Sequence, residues 1–290
     1  MADGVAMDCQ PDFAKFRATL LGEAAWRRPP QFDFHVAIEH KRRWLGRPID
    51  TPADNVAFWA AAGYDYVQTE FLLPVPELRE AMRAERESAG TASAGGQRKV
   101  IESLDHYRSR RWAWQDVAEG DMSAVEDRLR SAERHADALP DNMKLLFHIA
   151  DVYTFAWEMI GFDNLCLASI EQPEFIEAVM SDLGAAAERI TQTAVDRLGA
   201  AIGAVLYSDD IAYTEGLMLG PDFFRAHLFP WITRITDAAG QIDAPLIYHS
   251  DGKLYDVFDD LAAIGVKGIQ PLEPKSMDPL AIQRRWPGKF

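Results

Sequence analysis

Between residues 201 and 285, short apolar runs alternate with longer stretches whose apolar residues recur every three or four positions. The runs "AIGAVLY" (201–207), "APLIYH" (244–249) and "VKGIQPL" (266–272) are strand-length, and the first is continuously apolar. That is the pattern of strands buried on both faces. Ahead of the first run, residues 173–198 place Phe175, Ile176, Val179, Met180, Leu183, Ala187, Ile190, Ala194 and Leu198 on one helical face. Pro221 after Gly220 opens a second helix, with Phe224, Leu228, Trp231, Ile232 and Ile235 inward, and Pro230 predicts a kink in it. Leu254, Val257, Phe258, Leu261 and Ile264 form a third face that Gly265 is placed to end, and 278–285 reads as a short helix. Buried strands alternating with helices specify an α/β fold around a parallel sheet.

Three earlier runs extend the pattern: "PQFDFHV" (30–36), "YDYVQTE" (64–70) and "MKLLFHI" (143–149). Residues 71–142 between the last two read as a mostly helical insertion, with a small-residue segment "ESAGTASAGGQ" (87–97) expected to be a mobile loop. A chain of 290 residues accommodates one barrel-sized domain, and no internal repeat divides it, so a single domain over 1–290 is expected. Six strand signals against the eight of a closed barrel leave two readings, an open sheet or a (β/α)8 TIM-type barrel that is C-terminally incomplete, with about six of eight βα units.

The formal charge of −15 argues against nucleic acid as a partner, because phosphate binding needs a basic stripe. The densest basic groups, "HKRRW" (40–44) and "YRSRRW" (107–112), are short and interleaved with aromatics. They are either solvated helix faces or a basic rim suited to an anionic substrate. No apolar run approaches the ~20 residues of a membrane span. Cys9 and Cys166 stand far apart, so neither a disulfide framework nor a thiolate metal site is signalled, and a reducing cytoplasm is the expected compartment.

Active sites of parallel α/β barrels gather at the C-terminal ends of the strands, which directs attention to the residues there. His249 ends one strand and Asp251 follows two positions later, so both can share a face toward the mouth. The pair is a metal site, an acid/base pair or, for Asp251, a helix N-cap. Asp209 and Asp210 end the preceding strand. Neighbouring side chains point to opposite faces, so one of the two reaches the mouth as a base or cation ligand. His35, Glu39 and Glu70 follow or close earlier strands as candidate substrate contacts, with Tyr213 and Glu215 on a later loop. His148 reads as a core histidine, and Trp112 with Trp114 as packing in preference to a lid.

The segments "YSDDIAYTEGLMLGPDFFRAHLFPWITRI" (207–235) and "YHSDGKLYDVFDDLAAIGVKGIQPLEPKSMDPLAIQRRW" (248–286) resemble the uroporphyrinogen decarboxylase superfamily. The resemblance covers about 140–290 strongly and 26–70 weakly, and it implies a single (β/α)8 barrel that continues beyond residue 290. That favours the incomplete barrel over the open sheet. Its members include the haem-pathway decarboxylase and cobalamin-linked methyltransferases. Decarboxylases of the family carry an arginine-rich "MRQAGR" signature that holds substrate carboxylates. The corresponding stretch here, "FDFHVAIEH" (32–40), has no arginine and offers Asp33, His35 and Glu39 instead. The family's tyrosine falls near Trp157 in "FAWEMIG", which makes Trp157 a substrate-contact candidate. Thiol-directed methyltransferases of the superfamily carry a His-x-Cys zinc pair where this chain has His249 and Asp251. A carboxylate there makes a harder, less thiophilic site.

The resemblance therefore implies a methyltransferase or carboxy-lyase. Methyl transfer of the cobalamin-linked type leads, with His249, Asp210 and Asp209 as catalytic candidates and His249 with Asp251 as metal ligands. Its cofactors would be zinc and a corrinoid methyl donor or acceptor on a partner protein, and its other partner a small-molecule substrate. Uroporphyrinogen decarboxylation, needing no cofactor, and a non-catalytic binding barrel are the alternatives. A homodimer is the assembly to test for.

Overall fold

A computed structural model describes residues 10–23, 29–33, 35–88 and 99–290. Five parallel strands form one sheet: β1 (Tyr66–Leu72), β2 (Lys144–Ala150), β3 (Ile202–Ser208), β6 (Leu246–His249) and β7 (Gly268–Gln270), in the order β1-β2-β3-β6-β7. A two-stranded antiparallel hairpin, β4 (Ala212–Tyr213) with β5 (Gly216–Leu217), leaves the end of β3. Strands adjacent in the sheet follow one another along the chain, with helices in between, as in an incomplete (β/α)8 barrel.

Every residue of β3 is buried, as is every residue of β2 after Lys144, because β1 and β6 flank them and helices cover the outer face. The long helix Pro173–Leu198 starts at its proline and buries the apolar face anticipated for it. Against it lies the helix Phe229–Gly240, close enough that a β-carbon on Gly184 would sit 2.3 Å from the Trp231 ring. Pro230 does not kink one long helix. The chain forms two, Pro221–His227 and Phe229–Gly240, and Pro230 occupies the first turn of the second, where its missing N–H has no helical partner to lose.

The strand expected at 30–36 is not formed by its described residues. Asp33 spends its backbone on a side chain: its N–H donates to the Tyr66 hydroxyl at 2.7 Å, and that hydroxyl donates to the Asp33 carbonyl at 2.6 Å. Phe32 packs on Phe16 and Tyr66. Among the described residues the sheet thus has five strands where six were expected. Under it, the helix Phe13–Leu20 presses on the N-terminal end of β3, where a β-carbon on Gly203 would meet the Phe13 ring at 2.3 Å.

Between β1 and β2 lie the helices Pro76–Ser88, Leu104–Arg108, Ala113–Ala118 and Glu126–Asp137. The segment expected to be a mobile loop, 87–97, lies outside the described residues except for its first two positions. Trp112 and Trp114 are fully buried and stacked 4.9 Å apart; Trp112 Nε1 donates to the Tyr107 carbonyl and Trp114 Nε1 to the Tyr107 hydroxyl. The Tyr107 hydroxyl donates to Asp182 of the long helix at 2.7 Å, so this pair is packing. Part of each basic run is paired locally. Arg110 and Arg111 pair with Glu77, Asp116 and Glu119, and Lys41 lies over the Trp59 ring and donates to Asn55. No helix among the described residues is long and apolar enough to cross a membrane.

Candidate active site

The C-terminal ends of β1, β2, β3 and β6 surround a cavity of about 210 Å³ lined by Glu70, Leu72, His148, Ala150, Asp151, Thr154, Ser208, Asp209, Asp210 and His249. Parallel strands bring these residues together because each strand ends at the same level of the sheet: Glu70 lies opposite His148, and Ser208 opposite His249. None of these lining residues is a lysine or arginine.

The two adjacent aspartates divide as their alternation requires. Asp209 is buried and accepts from the Val152, Tyr153 and Thr154 N–H groups at 2.9, 2.7 and 2.7 Å, from Thr154 Oγ1 and from the Tyr207 hydroxyl. It thereby caps the helix Tyr153–Ile160 from the neighbouring strand. Burial pushes its carboxyl up, and these donors oppose that rise. Asp151 receives a hydrogen bond from Ser208 Oγ at 2.9 Å. Burial and then the Asp209 charge push the Asp151 carboxyl well above the ordinary carboxylate range.

Asp210 is half-exposed and turns to the mouth. Its Oδ1 accepts from the Asp251 N–H at 2.8 Å and stands 3.7 Å from His249 Nε2. Asp251 is exposed and caps no helix; the turn that follows, Tyr255–Val257, has Leu254 at its cap position and no side-chain cap bond. Partial burial and then the Asp210 charge raise the Asp251 carboxyl. The loop can take this path because Gly252 has φ +87° and lies against the hairpin, where a β-carbon would meet the Tyr213 carbonyl oxygen at 2.6 Å. Glu273 accepts from the Gly252 N–H at 3.0 Å.

Asp210, His249 and Asp251 each offer one ligand atom, and these atoms lie within 4.8 Å of one another. Donor atoms on a tetrahedral divalent ion at ~2.0–2.2 Å stand roughly 3.4 Å apart, so modest side-chain adjustment closes this set around zinc. One imidazole and two carboxylates suit a borderline or hard divalent cation, and three protein ligands leave a coordination position open.

The remaining candidates are placed differently. Glu70 lines the cavity with its Oε1 4.0 Å from His148 Nδ1. His35 is exposed and does not line the cavity. Glu39 is exposed in the first turn of the helix Ile38–Leu45, away from the cavity lining. Trp157 packs edge-on to Phe162 behind the wall, and Tyr213 is exposed on β4; neither lines the cavity. His148 is buried, as expected of a core histidine, but it also lines the cavity.

Sequence reasoning missed Asp151, Ser208, Gln68 and Gln270. Asp151 directly follows the apolar run that became β2, so the rule that singled out Asp209 and Asp210 would have found it. Gln68 and Gln270 carry no charge and no spacing signal.

Residues 111–279 match the family model for uroporphyrinogen decarboxylase (URO-D). The chain belongs to that family. No curated protein matches it. Among solved structures it is similar to a methyltransferase from Methanosarcina mazei, with a TM-score of 0.66 and 17% identity over 97% of this chain and 81% of that one. At that identity the likeness bears on the fold, and it agrees with the parallel barrel segment described above.

Proposed function

We propose that this URO-D family chain is an enzyme of methyl transfer in the manner of the superfamily's cobalamin-linked members, acting through a divalent metal held by His249, Asp210 and Asp251. The observation that carries the reading is the three-donor cluster at the ends of β3 and β6. A bound divalent ion would supply Lewis acidity to a heteroatom of the substrate placed at its open position. Asp151, whose carboxyl burial pushes up, lines the same cavity, Asp209 fixes the helix Tyr153–Ile160, and Leu72 with Ala150 supply an apolar wall. A cavity of about 210 Å³ admits a small methyl-bearing molecule but does not enclose a macrocycle, so the corrinoid is presented at the mouth by a partner protein.

Uroporphyrinogen decarboxylation draws less support. Its substrate carries many carboxylates, whereas the lining includes Glu70, Asp151, Asp209 and Asp210 and no lysine or arginine. The test is metal content by elemental analysis of the purified chain, together with methyl exchange between methylcobalamin and small thiols or methoxy compounds, followed in the cobalamin spectrum. His249→Ala is expected to lose the metal and about 10²-fold or more in rate, with the melting temperature little changed. Metal-independent decarboxylation of uroporphyrinogen, or an active but destabilised His249→Ala protein, would overturn the reading.

A further inference from the structure

Each of the two histidines at the cavity makes contact with a glutamine, and the two glutamines present opposite ends. Gln270 lies opposite His249 across β6 and β7, and its Oε1 meets His249 Nδ1. Gln68 lies on β1, diagonal to His148 on β2, and its Nε2 stands 3.0 Å from His148 Nδ1. A carboxamide oxygen only accepts and a carboxamide nitrogen only donates, so each contact dictates where the imidazole proton sits.

We infer that Gln270 and Gln68 are positioning residues that set opposite tautomers on the two histidines, making His249 the ligand of the cavity and His148 a hydrogen-bond donor within it. The ligand role of His249 rests on the proposed function; the tautomers rest on the hydrogen bonds alone.

For His249, the Gln270 oxygen requires a proton on Nδ1, which leaves the lone pair on Nε2. That nitrogen faces Asp210 Oδ1 at 3.7 Å, beyond hydrogen-bond reach. A cation held by both atoms would bridge that spacing. An outer partner on the remote nitrogen also fixes ring orientation and raises the basicity of the ligating one.

For His148 the order is reversed. Gln68 donates to Nδ1, so Nε2 carries the proton and donates to Ser208 Oγ at 2.8 Å. The Ser208 hydroxyl then donates to Asp151 Oδ1 at 2.9 Å. All three bonds run in one direction, Gln68 to His148 to Ser208 to Asp151, and each group uses the capacity it has. Glu70, at 4.0 Å from His148 Nδ1, is too distant to claim a proton there. Burial keeps the His148 ring neutral, so it has a tautomer to set. Two imidazoles on one cavity wall thereby do different work, although composition alone would rank them as equivalent ligands.

The test is ¹⁵N NMR of the labelled chain near neutral pH, using two-bond nitrogen–proton correlations to read each imidazole, with zinc titrated in afterwards. Signals are assigned by their loss in His249→Gln and His148→Gln. His249 is expected as the Nδ1–H tautomer and His148 as the Nε2–H tautomer, and zinc is expected to shift His249 Nε2 while sparing His148. Gln270→Leu should weaken zinc binding about 10- to 100-fold. Gln270→Glu, which keeps an acceptor at the same place, should restore it, and this guards against a mere folding defect. Gln68→Glu should turn His148 to the Nδ1–H form and leave zinc affinity unchanged. A proton on Nε2 of His249, or zinc affinity indifferent to Gln270→Leu, overturns the inference. A wild-type chain that shows both tautomers yet binds no zinc or other divalent ion upholds the tautomer assignment and removes the proposed metal chemistry.

Discussion

His148 shows how a single side chain can tie the site to stability. It is almost wholly buried between Gln68 and Ser208, and burial, followed by the charges of His249 and His35, depresses its pKa to about 3. Unfolded, the same imidazole titrates near 6.5. Between those values the unfolded chain binds a proton that the folded chain refuses, so stability is intact above about pH 6.5 and falls as the pH drops toward 3. The loss from this group is about 1.4 kcal/mol per pH unit. Urea unfolding at a series of pH values should therefore give a steeper decline for the native chain than for His148→Gln between about pH 6 and pH 4. Parallel declines would mean that the folded protein accepts the proton. Asp151 has the opposite sign. Its raised carboxyl keeps a proton in the fold over a range where the unfolded chain has lost it, so stability falls as the pH rises from the ordinary carboxylate range to its folded pKa. Asp151→Asn should flatten that decline in the same measurement. At this scale the sequence revealed the charged groups that end strands, His249, Asp210 and Glu70. The glutamines stayed hidden because their function is the direction of a hydrogen bond, which exists only once β1 faces β2 and β6 faces β7.

At the scale of elements, the helix pair behind the sheet is set by one glycine. Gly184 in Pro173–Leu198 leaves room for the Trp231 ring, and any β-carbon there would overlap it. Gly184→Ala is expected to cost about 1–3 kcal/mol, because overpacking forces the two helices apart. Adding Trp231→Leu should recover part of that loss, and the deviation from additivity measures the contact. Chemical denaturation of both single variants and the double variant checks it; strictly additive losses would show that the ring does not fill this space. The same closeness explains what was legible. The face of Pro173–Leu198 was readable because burial on one side imposes a period of 3.6, and β3 because burial on both sides removes alternation. "PQFDFHV" misled because its alternation of apolar and polar residues is equally served by an irregular segment that buries Phe32 and surrenders its backbone bonds to Tyr66. Whether a segment joins a ladder depends on a neighbour far along the chain, and no local pattern records that.

Over the whole molecule, the sheet has two outer strands, β1 and β7, and among the described residues neither pairs with a strand on its far side. Unpaired strand edges are templates for association, and β7 lies beside an apolar cavity of about 240 Å³ whose walls include Phe16, Leu20, Phe32, Ile247 and Ile269. Phe32 is the part of the irregular segment that reaches both sides, stacking near Tyr66 of β1 while lining the cavity against β6 and β7. It therefore does with one ring what a strand would do with a ladder. The protein should bind a hydrophobic dye and self-associate as its concentration rises, read by dye fluorescence and by light scattering across a dilution series. Phe32→Ala should increase the dye signal and lower stability by about 1–3 kcal/mol, since it widens an existing void and leaves Tyr66 with one aromatic neighbour fewer. A monodisperse chain at every concentration, silent toward the dye with or without Phe32, would show that these strand edges do not drive association.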